Sequence, residues 1–225
     1  MLDLPQLTQL RKNIHQHPEL SHQEQQTALR ITRVFESFSP DEVHTQLGGH
    51  GVAFVFHGQE IGPSTLIRCE LDALPIQEQN TFDHRSILDG VSHKCGHDGH
   101  MAIISALGAT LATRKPQSGR VILCFQPAEE TGAGAIDMVN DEKFASLKPD
   151  YAFALHNYPG LKLGSVAVRA GTFNCASRGI IIKLSGKTSH AAHPEDGISP
   201  ASAMCQIIEK LNQLPEELAE QGVED

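Results

Sequence analysis

The sequence predicts an α/β protein: a mainly parallel sheet flanked by helices, followed by the start of a second, α+β unit. Two observations carry this prediction. Short apolar runs alternate along the chain with longer segments of helical periodicity, the pattern made by strands joined through crossover helices. Polar residues able to do chemistry stand directly after several of these runs, where ligands collect in open α/β sheets.

Leu4, Leu7, Leu10 and Ile14 recur at helical spacing up to Pro18 and predict a first helix. Ser21 followed three residues later by Glu24 reads as a capping box that opens a second helix running to Phe38. Residues 52–56 and 66–71 are apolar or β-branched runs separated by Gly58, Gly62 and Pro63, and read as buried strands joined by a turn. A long polar loop occupies 75–94. Ala102, Ile103, Ala106, Leu107 and Leu111 then predict a helix, followed by a strand over 120–125, a short helix over 135–139, and strands over 151–155 and 164–168. From Cys175 the pattern shifts to a strand over 179–184, a polar loop through His193 and a helix from Ser199 to about Leu214. The expected organisation is a first domain over 1–174 and an incomplete second one over 175–225.

Composition narrows the function classes. With 40% hydrophobic and 20% charged residues the chain resembles an ordinary globular protein. A net charge of -9 without a run of Lys or Arg argues against nucleic acid, whose binding depends on clustered cations. No apolar stretch approaches the length that spans a bilayer, and the start lacks the order of a signal peptide, so the expectation is a cytoplasmic protein with no membrane partner. Five widely spaced cysteines with no C-x-x-C pair fit reduced thiols. Burial accounts for Cys69, Cys124, Cys175 and Cys205, each in or beside an apolar or helical pattern. Among 13 histidines, His15, His22, His44 and His84 read as scattered surface residues.

Cys95 reads differently. In Cys95-Gly96-His97-Asp98-Gly99-His100 a thiol and an imidazole flank one glycine, and Gly96 and Gly99 permit the tight turn that would let them converge. Both are good ligands for a borderline-soft divalent ion such as zinc. The plainer reading is a glycine-rich loop with a buried cysteine. Glu129 and Glu130 follow an apolar run; a cation that neutralises one would leave the other as a general base, whereas the plainer reading is a solvated acidic pair. His156 and Asp72 each stand after further apolar runs. Four such placements together are what favours a site. Gly186-Lys187-Thr188 is not a phosphate loop, because the earlier glycine of that motif is replaced by Ile181; His190 there reads as an exposed functional histidine or a loop residue.

These residues resemble the metal-dependent amidohydrolases that include hippurate hydrolase, N-acyl-amino-acid hydrolases and auxin-conjugate hydrolases, in the aminoacylase and carboxypeptidase clan. The resemblance runs through Ile14-His15-Gln16-His17-Pro18-Glu19-Leu20, Asp72-Ala73-Leu74-Pro75-Ile76, the Cys95 to His100 run, Gln126 to Glu130, Leu155-His156-Asn157 and Ser189-His190-Ala191-Ala192. It implies a zinc-exopeptidase-like fold with a lid and dimerisation domain beginning near residue 175. It also implies two divalent ions, zinc or manganese first and cobalt or nickel next, held by Cys95, His97, Glu130 and His156, with Cys95 bridging.

By the same resemblance Glu129 is the general base, Asp72 orients a metal-bound histidine, and His190 reaches a partner subunit's site to stabilise an oxyanion, which requires a homodimer. The implied reaction is hydrolysis of the amide bond of an N-acyl amino acid. The alternatives are a dipeptidase or deacetylase of the same clan, and a truncated, inactive chain that only binds metal or pairs with another subunit. The chain departs from the family pattern at Glu70, where Asp is usual, at Ser92 and Lys94 before the cysteine, and at Arg178, where an acid is usual. The family's final metal histidine lies beyond this sequence.

Overall fold

The computed structural model describes residues 3–173 and 179–222. The chain divides into two compact units, Met1–Gly160 and Leu161–Asp225. The boundary expected between 174 and 175, together with Cys175 and Arg178, falls outside the described residues.

In the first unit, helix α1 (Leu4–Gln16) begins at a capping box in which Asp3 and Gln6 exchange side-chain and backbone bonds. Helix α2 (Gln25–Glu36) starts later than Ser21 suggested, and its N-terminal N–H groups are taken by Glu19, which accepts from Gln26 N at 3.2 Å and Thr27 N at 2.6 Å. The capping box expected of Ser21 and Glu24 does not form, because both side chains are used by the loops of the candidate site.

Strands β1 (Glu42–Leu47), β2 (Gly51–His57), β3 (Glu60–Glu70), β4 (Ser118–Gln126) and β5 (Tyr151–Ala154) form one sheet in the order β1-β2-β4-β3-β5. Its parallel part is β4-β3-β5, and β1 and β2 extend it with antiparallel pairings, so the sheet is mixed. Although β2 and β3 follow one another in sequence, β4 lies between them. Helix α3 (His97–Thr113) makes the crossover from β3 to β4, and the short helix α4 (Gly134–Asn140) follows β4.

Alternation along β2 explains how the sheet is buried on both faces. Val52, Phe54 and Phe56 join Ile14, Ile31, Phe35, Met101 and Ile104 under the helices, whereas Ala53 and Val55 join Leu66, Ile122 and Met138 on the opposite face. Phe35 stacks on Phe54 at 3.9 Å between ring centroids and meets Phe125 edge-on. The helices and sheet thus hold the ends of β3, β4 and β5 in one place.

In the second unit, helix α5 (Ala201–Glu220) matches the helix expected from Ser199 but continues through Pro215. The strands expected over 164–168 and 179–184 are absent: no strand pairs with these segments among the described residues, and Val166, Val168, Ile180 and Ile181 are exposed. An apolar run becomes a strand only when a neighbour accepts its backbone hydrogen bonds. Cys69 and Cys124 are buried free thiols as expected, but Cys205 is exposed on α5. No described helix is long and apolar enough to cross a membrane.

Candidate metal centre

Parallel neighbours place their carboxyl ends side by side. Asp72 therefore follows β3, Glu129 and Glu130 follow β4, and His156 follows β5, all at one edge of the sheet, while His97 opens α3 directly after Gly96. The donor atoms of Cys95, His97 and His156 lie within 4.8 Å of one another, as do those of His97, Glu129 and Glu130. The two sets share His97. A third set, Glu70, His97 and His100, is fully buried.

The geometry around His97 fixes its tautomer. Nδ1–H donates to the Asp72 backbone oxygen at 2.8 Å, with the Asp72 carboxylate 3.5 Å away. The Nε2 lone pair is thereby turned toward Glu129 and Glu130, each 3.7 Å distant. Both His97 Nε2 and Glu130 Oε1 are buried and have no hydrogen-bond partner among the described residues. Orphaned buried groups of this kind are costly unless something binds them. A thiol, two imidazoles and carboxylates, with lone pairs converging on orphaned atoms, fit one or two divalent cations.

Electrostatics point the same way. Burial, reinforced by Glu130 and Glu129, pushes the Cys95 thiol up to about 12. Burial also raises Glu130, with Glu129 and Asp72 adding repulsion. A divalent ion relieves this crowding of acids. Asp72 behaves oppositely: burial works against its charge, yet bonds with His97, the Glu130 backbone and Ser21 hold it down at about 2.

The N-terminal motif supports the site from behind. Ser21 Oγ donates to Asp72 Oδ2 at 2.7 Å, and Glu130 N donates to the same oxygen at 3.0 Å. The fully buried Glu24 accepts from Ala128 N at 2.7 Å and His22 N at 2.9 Å. Ala128 has a φ of 47°, a left-handed conformation that an alanine adopts only when held, and it immediately precedes Glu129. Thus Glu24 clamps the turn that presents the acidic pair.

His15 is a further correction. It is buried, not a surface residue, with Nδ1 2.8 Å from Asp98 and Nε2 2.9 Å from Glu78, because α1 packs on α3. Sequence reading also passed over Arg68, Glu24, His100 and Asn157 as working residues. Arg68 and Glu70 stand two apart on β3 and so share a face, a signal legible from strand periodicity. His190 lies in the second unit, exposed, where its Nδ1 accepts from Ala192 N at 3.1 Å.

The profile of peptidase family M20/M25/M40 matches residues 66–225. The chain belongs to this family. It is 36% identical over 206 residues to the N-acetylcysteine deacetylase of Bacillus subtilis, which covers 91% of this chain and 54% of that protein. It is 35% identical over 210 residues to the N-acetyldiaminopimelate deacetylase of Oceanobacillus iheyensis, with 93% and 56% covered. Among solved structures, the Bacillus subtilis YXEP protein, a dinuclear metal binding peptidase, aligns with a TM-score of 0.68 at 37% identity over 73% of this chain and 46% of that one. The chain spans about half the length of the curated relatives it matches.

Proposed function

We propose that this M20-family chain carries most of a two-metal site that hydrolyses the amide bond of N-acyl amino acids. The observation that carries the reading is the pair of overlapping donor sets, Cys95/His97/His156 and His97/Glu129/Glu130, joined through a tautomer-fixed His97. The deacetylase relatives support the substrate class.

In this reading Cys95, His97, Glu130 and His156 hold two divalent ions, with zinc or manganese best suited to the donor set. Such ions supply Lewis acidity to the scissile carbonyl and make a water more acidic. Glu129 takes the proton from the attacking water and passes it to the leaving amine. Asp72 holds the His97 ring in the ligating tautomer. We assign His190 to the developing oxyanion across a homodimer formed through the second unit, in a cytoplasmic enzyme.

The test is Glu129→Gln in the 225-residue chain, loaded with zinc, manganese or cobalt and assayed on N-acetyl, N-benzoyl and indole-acetyl amino acids. Metal content should stay at the wild-type level while turnover nearly disappears. Equal activity in the variant sinks the assignment of the base, and hydrolysis of dipeptides in preference to every one of these amides sinks the substrate class.

A further inference from the structure

His100 closes the Cys95 to His100 run, yet the reading above gives it no task. Its ring is buried against the fully buried Glu70, and Nδ1–H donates to Glu70 Oε2 at 2.8 Å. A buried carboxylate needs its charge matched and its lone pairs filled. The second Glu70 oxygen accepts from Arg68 Nη1 at 2.5 Å. Arg68 continues toward the acidic pair: Nε–H donates to Gln126 Oε1 at 2.8 Å, and Nη2 is 3.9 Å from Glu129 Oε1.

The other edge of the His100 ring faces the loop after β5. His100 Nε2 is 2.7 Å from the Asn157 side-chain oxygen and 3.1 Å from the Asn157 backbone nitrogen. Among the described residues no other side chain bonds to the Asn157 carboxamide. Asn157 in turn accepts, through its backbone oxygen, the Nδ1–H of His156 at 2.8 Å, which leaves His156 Nε2 facing Cys95 Sγ at 3.3 Å. A continuous chain of polar contacts therefore runs Glu129, Arg68, Glu70, His100, Asn157, His156. It joins the ends of three strands through α3.

We propose that Glu70 and His100 are positioning residues that, through Arg68 and Asn157, set the spacing between the Glu129 carboxylate and the His156 imidazole. The inference rests on the two-metal reading. His156 follows an edge strand of four residues with an exposed side chain, so its placement depends on few contacts. Ordering such a loop costs conformational entropy that the His100 bonds offset before a ligand arrives.

Cobalt(II) is the probe. The 225-residue chain and its Glu70→Gln, His100→Asn, Asn157→Ala and His100→Asn/Asn157→Ala variants are titrated, reading affinity and the near-ultraviolet thiolate-to-cobalt absorption of Cys95. Wild type should show the thiolate band. His100→Asn keeps a side-chain amide near the Nδ1 position but loses both contacts with Asn157, and Asn157→Ala loses the carboxamide contact alone, keeping the backbone N–H. Each should weaken cobalt binding by about 10–100-fold, the usual effect of removing a partner that orients a ligand. The double variant should be no weaker than the weaker single, since the contact that Asn157→Ala removes is one of the two that His100→Asn removes.

Glu70→Gln preserves volume but turns an amide NH2 toward one of two donors, so it too should weaken binding; a packing role would leave it at the wild-type value. Wild-type affinity in the single variants, independent addition in the double, or a Glu70→Gln variant indistinguishable from wild type overturns the proposal while leaving the metal centre standing. A wild-type chain without a thiolate band overturns the metal centre, and this inference with it.

Discussion

Gly96→Ala tests the backbone that brings Cys95 and His97 together. Gly96 is the residue before α3, with φ 111° and ψ 11°, outside the regions an L-residue occupies at low energy. A Cβ there would stand 2.2 Å from Asn157 Oδ1 and 2.9 Å from its Cγ, so the carboxamide has to leave. The conformational strain costs about 1–3 kcal/mol, and losing the Asn157 bond to His100 adds about 0.5–1.5 kcal/mol. A total of about 2–4 kcal/mol lowers the melting temperature of a chain this size by roughly 5–15 °C.

Gly99, three residues on, is the internal control. It lies inside the first turn of α3, with no atom within 4 Å of an added Cβ and no left-handed φ. Gly99→Ala should raise stability by up to about 1 kcal/mol through helix propensity. Circular-dichroism melts and urea titrations of both variants, with cobalt affinity measured in parallel, give the result. A Gly96→Ala chain with wild-type stability and cobalt affinity refutes the reasoning, as does a Gly99→Ala chain that loses as much as Gly96→Ala.

Two other predictions concern the groups around the site. Glu24→Ala leaves the buried Ala128 N–H without its acceptor, costing about 1–3 kcal/mol; because Ala128 then relaxes from its left-handed φ, metal affinity should fall together with urea stability, and unchanged metal affinity would remove Glu24 from the support of the acidic pair. Glu78 is opposed by burial but held down at about 2 by Lys94, His15 and Asn80. Its folded value lies below the unfolded one of about 4.3, so its stabilisation is present above that unfolded value and lost as pH falls toward 2. The stability gap between wild type and Glu78→Gln in urea titrations should therefore be full near pH 6 and shrink below about 4.3; a gap that stays constant to pH 2 contradicts the assignment. His15, raised above its ordinary 6.5 by Asp98 and Glu78, contributes in the opposite sense, losing stability as pH rises through its folded value.

The sequence by itself determined β2 to β5 and the helices of the first unit, though not β1, and which residues stand at strand ends, because hydrophobic periodicity and side-chain chemistry are local properties. It brought Asp72, Cys95, His97, Glu129, Glu130 and His156 into view for that reason. Partner choice is not local, and tertiary structure alone decided it: β4 entered between β2 and β3, β1 joined the edge, and the apolar runs at 164–168 and 179–184 pair with no strand among the described residues. The same holds for side chains that serve distant groups. Ser21 and Glu24 carry the pattern of a helix cap, yet their acceptor and donors lie on Asp72, His22 and Ala128; His15 has the pattern of a surface residue until α1 meets α3. His100 and Asn157, 57 residues apart, become partners only because parallel β3 and β5 end beside the first turn of α3. A hydrogen bond depends on where two chain segments meet in space, and that position is set by the packing of the whole sheet rather than by the residues near either partner.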